Sequence, residues 1–130
     1  MTKADHVAYW KDGAEQNWRE VDAMLAAGTY VPCLFWAHLT IEKLAKALWV
    51  KENVGDHPPR IHNIARLLAD TSAAPTPVQL TFIQQLNTFQ LEGRYEDYTT
   101  QLRQSATLAF TQAVIQDVTD LRQWLLSQLP

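Results

Sequence analysis

An arginine between aromatic and acidic residues is the first candidate for binding chemistry in this sequence. Arg94 is followed by Tyr95 and, two acidic residues later, by Tyr98. A guanidinium can hold a phosphate through two parallel hydrogen bonds, and it can interact with an aromatic ring that stacks on a base. The structural alternative is that Arg94 and Asp97 form ion pairs that tie a loop to the fold, with both tyrosines as packing. The residue types favour the structural alternative. Arg94, Tyr95 and Tyr98 are nevertheless the candidate contacts to a nucleotide or phosphate.

Two lysines on the polar side of an apolar segment form a second candidate. Lys43 and Lys46 lie beside Glu42. Together the two ammonium groups can attract a phosphate. Alternatively, Lys46 pairs with Glu42 at i,i+4 spacing and joins a network with Arg94 and Asp97. The pattern favours the network, in which Glu42 and Asp97 are the structural carboxylates.

His62 is the candidate acid–base group, since imidazole titrates near neutral pH. A histidine just before a short helix more often hydrogen-bonds the helix start and a neighbouring loop. His57 lies five residues earlier with two prolines between, a spacing that does not place the pair on one helix face. We therefore expect no metal and no cofactor. Cys33, the single cysteine, sits in an apolar run and is predicted to be a buried, inert thiol.

Length and composition indicate a single domain over residues 1–130. A chain of this size can bury a core without disulfides or a structural metal. The net charge of −3 argues against a strong general affinity for nucleic acid. No apolar run approaches the ~18 residues that a bilayer crossing needs, and no signal peptide is visible. We expect a cytoplasmic protein.

Apolar residues at helical spacing predict five helices and no strand. The central helix, residues 30–52, is apolar on most sides, so several neighbours must cover it. The first helix, 4–27, contains Gly13, which costs about 1 kcal/mol relative to alanine and can allow close packing of a neighbour. The others are predicted at about 62–70, at about 77–91 with a stop at Gly93, and from Thr99 or Thr100 to about Gln128, with residues 94–98 as a connector. The sum is an all-α, up-and-down antiparallel helical bundle of three long and two shorter helices.

Three short stretches in a fixed order carry a family resemblance. Gly28-Thr29-Tyr30 leads into the helix with Ile41-Glu42-Lys43-Leu44-Ala45-Lys46-Ala47. Pro58-Pro59-Arg60-Ile61-His62-Asn63-Ile64 precedes the short helix, and Arg94-Tyr95-Glu96-Asp97 precedes the last one. In this order and spacing they resemble the HEPN family, the helical domains named for a proposed nucleotide-binding role in prokaryotes and higher eukaryotes. The resemblance covers about residues 5–127.

The resemblance implies an antiparallel bundle that is commonly a homodimer. Family members often pair with small nucleotidyltransferases in toxin–antitoxin-like operons, and many are metal-independent RNases with an Arg-x(4–6)-His motif. None of the histidines here, His6, His38, His57 and His62, has an arginine five to seven positions before it. The chain thus departs from the RNase branch at the residues that carry its chemistry.

Three functions are consistent with these features of the sequence. The first is a HEPN-like binding or regulatory module, not an enzyme, that partners a minimal nucleotidyltransferase and/or binds nucleotide or RNA phosphate. The second is an RNase toxin of a toxin–antitoxin pair, with a non-standard site such as His62 and Arg94. The third is a structural homodimerisation domain without a ligand.

Overall fold

The computed structural model describes residues 1–92 and 96–130, with side chains for 1–90 and 100–130. Its helices are α1 (Lys3–Ala27), α2 (Tyr30–Glu52), α3 (Ile64–Ala69), α4 (Pro77–Glu92), α5 (Glu96–Ser105) and α6 (Leu108–Ser127). These residues contain no strand. The predicted all-α fold is confirmed.

Helix α2 is the axis of the bundle, and it contacts each of the other helices. The ammonium group of Lys3 donates to the carbonyl of Val50 at 2.9 Å, so the start of α1 meets the end of α2 and these helices are antiparallel. Lys51 donates to the carbonyl of Gln128 at 2.8 Å, so α2 and α6 end together and run parallel. The central position follows from the apolar pattern, because Leu34, Ala47 and Val50 point to different sides of α2 and are all fully buried.

The prediction of one long last helix is wrong, because the chain breaks between α5 and α6. Thr107 is extended, with φ −73° and ψ 169°, and its hydroxyl accepts the N–H of Phe110 at 3.1 Å. This is an N-cap, which satisfies a backbone donor at the start of a new helix. The apolar residues Leu102, Ala106 and Phe110 keep helical spacing across the break, so the pattern alone conceals it.

The remaining boundaries differ by a few residues from the predictions. Gly28 ends α1 in the left-handed conformation, with φ 77°, where glycine meets no steric penalty. Helix α3 begins at Ile64, because the side chain of Asn63 caps it by accepting the N–H of Arg66 at 3.2 Å. Residues 96–98, predicted as part of a connector, are the first turn of α5.

Two further points concern the ends of α4 and the lengths of the helices. Gly93, the predicted stop of α4, lies outside the described residues. None of the described helices combines the length and apolar character that a bilayer crossing requires.

Candidate functional site

Glu42 lies at the centre of a polar cluster inside the bundle. Its carboxylate is 4% exposed and accepts a hydrogen bond from Lys46 on Oε2 at 3.1 Å. The Nδ1 of His62 lies 2.9 Å from the other oxygen, Oε1, and the Nδ1 of His38 lies 3.8 Å from the same atom. We call these four residues the Glu42 cluster. One buried carboxylate therefore faces three nitrogen groups.

Helical spacing and a helix start bring this cluster together. His38, Glu42 and Lys46 are four residues apart on α2 and so share one face of that helix. His62 directly precedes Asn63, the N-cap of α3, so the start of that helix fixes the position of the imidazole. The cluster thereby joins α2 to the segment that leads into α3.

Asn87 on α4 supports the cluster from a third element. Its Oδ1 lies 3.2 Å from the Nε2 of His38 and accepts the backbone N–H of Ile64 at 3.4 Å. His38 is fully buried. Burial lowers the pKa of His38 below its ordinary value, while the charge of Glu42 and the hydrogen bond to Asn87 act in the opposite direction. Burial outweighs the others, because a charge in an apolar interior loses its hydration.

The two candidate lysines of α2 have different surroundings. Lys46 is 8% exposed, is paired with Glu42, and its ammonium lies 5.2 Å from the centre of the Trp10 ring, a cation–π contact. Lys43 is half-buried and has no hydrogen bond or ion pair in the part of the chain with described side chains. Lys46 is thus neutralised inside the bundle, whereas Lys43 is not paired with any described residue.

Lys43 lies in a groove between α1 and α2. The α1–α2 groove has a volume of about 340 Å³ and is lined by Tyr9, Trp10, Asp12, Gly13 and Lys43. A β-carbon at Gly13 would lie 3.3 Å from the Cδ of Lys43, so the glycine gives the lysine stem room to cross α1. Tyr9 is 63% exposed and meets Trp10 edge-on, with ring centres 5.3 Å apart. Lys43 is therefore the neighbour for whose close packing Gly13 leaves room.

Some of the predicted site residues lie close together in the structure. Glu42, Lys46 and His62 meet in the Glu42 cluster, and Lys43 lines the neighbouring groove. Arg94 and Tyr95 lie outside the described residues, as do the side chains of Asp97 and Tyr98.

Sequence reasoning missed several residues that complete these sites. His38 and Asn87 complete the Glu42 cluster, and Tyr9 and Asp12 complete the α1–α2 groove. The signal for His38 was a histidine within a mostly apolar stretch, four positions before a glutamate.

Metal ligation finds no support among the described residues. No group of three or more histidine, cysteine, aspartate and glutamate side chains within them is arranged to hold a metal ion.

The thiol of Cys33 is buried and protonated. Burial raises the pKa of Cys33 to about 11, and its thiol lies 3.6 Å from the carbonyl oxygen of Val21. A thiol of this kind stays protonated and is a poor nucleophile at neutral pH.

Comparison with known proteins identifies the family. The HEPN domain family model matches residues 7–128. No curated protein and no solved structure matches the chain. The helical bundle and the order of its motifs agree with the family match, which spans nearly the whole chain, and this protein therefore belongs to the HEPN domain family.

Proposed function

We propose that this chain is a HEPN-family binding module that holds the phosphate of a nucleotide or RNA on Lys43, in the α1–α2 groove. The observation that carries the proposal is the ammonium group of Lys43, which forms no ion pair or hydrogen bond with a described residue and lines the same groove as an exposed aromatic ring. Lys46 cannot share this role without giving up Glu42, whose carboxylate is buried. The attraction for a phosphate is therefore local, which is compatible with a net charge of −3 for the whole chain.

The other side chains of the α1–α2 groove suit the base of such a ligand. Tyr9 offers a largely exposed ring, and stacking of a base on an aromatic side chain contributes about 1–3 kcal/mol. Asp12 is exposed at the same groove and can accept an N–H from the edge of a base. The volume of about 340 Å³ lies within the range of small-molecule sites, roughly 300–1,000 Å³.

A minimal nucleotidyltransferase is the proposed protein partner. This part of the proposal rests on the family, whose members often pair with such enzymes. Arg94, Tyr95 and Tyr98 stay sequence-based candidates for contacts to the same nucleotide or phosphate. Co-purification of the tagged chain with a nucleotidyltransferase in a fixed ratio would support the pairing.

Lys43→Ala should weaken nucleotide binding by about 10-fold or more, because a hydrogen bond to a charged group contributes about 1.5–3 kcal/mol. Isothermal titration calorimetry with ATP, GTP and a short 5′-phosphorylated RNA measures the loss and separates free nucleotide from an RNA end. Lys51→Ala is the matched control, since Lys51 is also on α2 but binds the carbonyl of Gln128. Unchanged affinity in Lys43→Ala, or no binding by the unmutated chain, would refute the site.

A second candidate function, RNA cleavage, is favoured by the geometry of His62. Its Nδ1 is held by a buried carboxylate at 2.9 Å, and its side chain remains 47% exposed. A carboxylate on one imidazole nitrogen fixes the tautomer and orientation of the ring, and the other nitrogen can then act as a base. The pair could thus remove the proton of an RNA 2′-hydroxyl without a metal.

If the chain cleaves RNA in this way, His62→Ala should lower the rate by about 10²–10⁴-fold, the usual contribution of a general base. Cleavage of a fluorescent RNA in the presence of a chelator measures this rate. His57→Ala is the control, because His57 is exposed and contacts the ring of His6. Full activity in His62→Ala would remove His62 from the reaction, and an inactive unmutated chain would leave the binding function alone.

A further inference from the structure

Both ring nitrogens of the buried residue His38 face oxygen atoms. The Nε2 lies 3.2 Å from the Oδ1 of Asn87, and the Nδ1 lies 3.8 Å from the Oε1 of Glu42. The backbone of His62 also favours the protonated form of this ring. The Nδ1 nevertheless has no hydrogen-bond partner among the described atoms. An orphaned polar atom in a fully buried side chain is unusual, since such atoms are nearly always paired.

Asn87 decides which nitrogen of a neutral His38 carries the proton. Its Oδ1 accepts the backbone N–H of Ile64 at 3.4 Å, which assigns the amide oxygen, not the amide nitrogen, to the side of the His38 ring. The Nε2 must then be the donor, and a neutral ring presents a lone pair at Nδ1. A lone pair and a carboxylate oxygen cannot form a hydrogen bond. A second proton on the ring, taken up from solvent, would create the missing bond.

The Glu42 carboxylate is the shared partner of two imidazoles. Its Oε2 is engaged by Lys46 at 3.1 Å, so His38 and His62 both depend on Oε1, at 3.8 Å and 2.9 Å. A displacement of Oε1 on the order of 1 Å toward His38 would bring the longer contact into the usual range of hydrogen-bond lengths. Groups that interact this closely do not titrate independently.

We propose that His38 is a positioning residue for His62: when His38 gains its second proton, it draws the Glu42 carboxylate away and loosens the hydrogen bond that holds His62. The exposed imidazole of His62 would then be firmly oriented while His38 is neutral and less firmly held once His38 is protonated. Because burial disfavours the charged form of His38, this loosening falls on the acid side of an ordinary histidine titration. This coupling goes beyond the proposed function, since it requires neither a ligand nor catalysis.

The described groups that face the His38 ring come from each neighbouring element. Glu42 lies on its own helix, His62 on the segment before α3, and Asn87 on α4. Lys46 reaches the far oxygen of Glu42 and contacts Trp10 of α1. Of these, only Glu42 carries a negative charge, so it is the group for which both histidines compete.

Histidine-selective ¹⁵N NMR of the full chain between about pH 4.5 and 8.5, a range that brackets the histidine titration, tests the proposal. We expect the Nδ1 of neutral His38 to give the signal of an unprotonated nitrogen. The Nδ1 signal of His62 should shift in two steps, one of which has the same midpoint as the titration of His38. His6 and His57, which contact one another, are internal controls that should not respond at that midpoint. If the His62 signal of the unmutated chain lacks the step shared with His38, the proposal is overturned.

Asn87→Ala provides an independent check. Without the Asn87 oxygen, a neutral His38 can carry its proton on Nδ1 and donate to Glu42 at neutral pH. The His38 tautomer should therefore change, and the shared step in the His62 titration should be lost. Glu42→Gln, of the same shape but uncharged, should also remove the shared step. Persistence of that step in both folded variants would show that Glu42 does not couple the two rings.

Discussion

Glu42→Ala should lower the free energy of unfolding by about 3–5 kcal/mol, the cost of leaving a buried charge without its partner. Lys46 is 8% exposed, and its ammonium has Glu42 as its counter-charge at 3.1 Å. His62 would lose its short contact to the same carboxylate. Urea denaturation with linear extrapolation measures the change.

The matched control is Glu15→Ala. Glu15 also pairs with a basic residue, since Arg122 lies 2.7 Å away, but the Glu15 side chain is 47% exposed. Solvent screens such a pair, and we expect a loss of less than about 1 kcal/mol. Similar small losses in the two variants would contradict the view that Glu42 compensates a buried charge.

A double variant separates charge from packing at the same place. Glu42→Leu with Lys46→Met replaces the ion pair by apolar side chains of comparable size. Such exchanges are often neutral, or stabilise by about 1–4 kcal/mol. If the double variant is as unstable as Glu42→Ala, shape and not charge explains the loss.

Leu44→Ala should destabilise the fold by about 2–5 kcal/mol, through lost apolar burial and the cavity left behind. Leu44 is 1% exposed, in the middle of the helix that every other described helix contacts. Since small domains are stable by only about 5–15 kcal/mol, this one truncation removes a large share of the total. Urea or thermal denaturation followed by circular dichroism measures it.

Leu80→Ala is the control for the core truncation. Leu80 lies on α4 and is 37% exposed, so its truncation should lower the stability by only about 1 kcal/mol. Equal losses at Leu44 and Leu80 would be inconsistent with a core centred on α2.

Much of the fold was predictable because α2 is apolar on nearly every side. A helix of that kind can only be the middle of a bundle, and its predicted bounds, 30–52, agree with Tyr30–Glu52. The break between α5 and α6 was not predictable in this way. It is marked by the side-chain cap of Thr107 at the start of α6, whereas the apolar spacing continues through it.

The candidate sites were predictable only where their residues are near in sequence. Glu42 and Lys46 are one helical turn apart, and their pairing follows from that spacing. His38 meets Asn87 across 49 positions, and Tyr9 and Lys43 line one groove only because α1 folds back along α2. Contacts of this kind depend on how the helices are rotated against each other, which periodicity does not specify.

The close approach of Gly13 to the stem of Lys43 also constrains how this sequence can change over generations. Glycine inside a helix is worse than alanine by about 1 kcal/mol, so it is favoured only where a β-carbon would do harm. Here a β-carbon would lie 3.3 Å from the Cδ of Lys43, so the lysine stem would have to move by a few tenths of an ångström. A lineage that shortened residue 43 would gain by replacing Gly13 with alanine. We therefore expect positions 13 and 43 to change together.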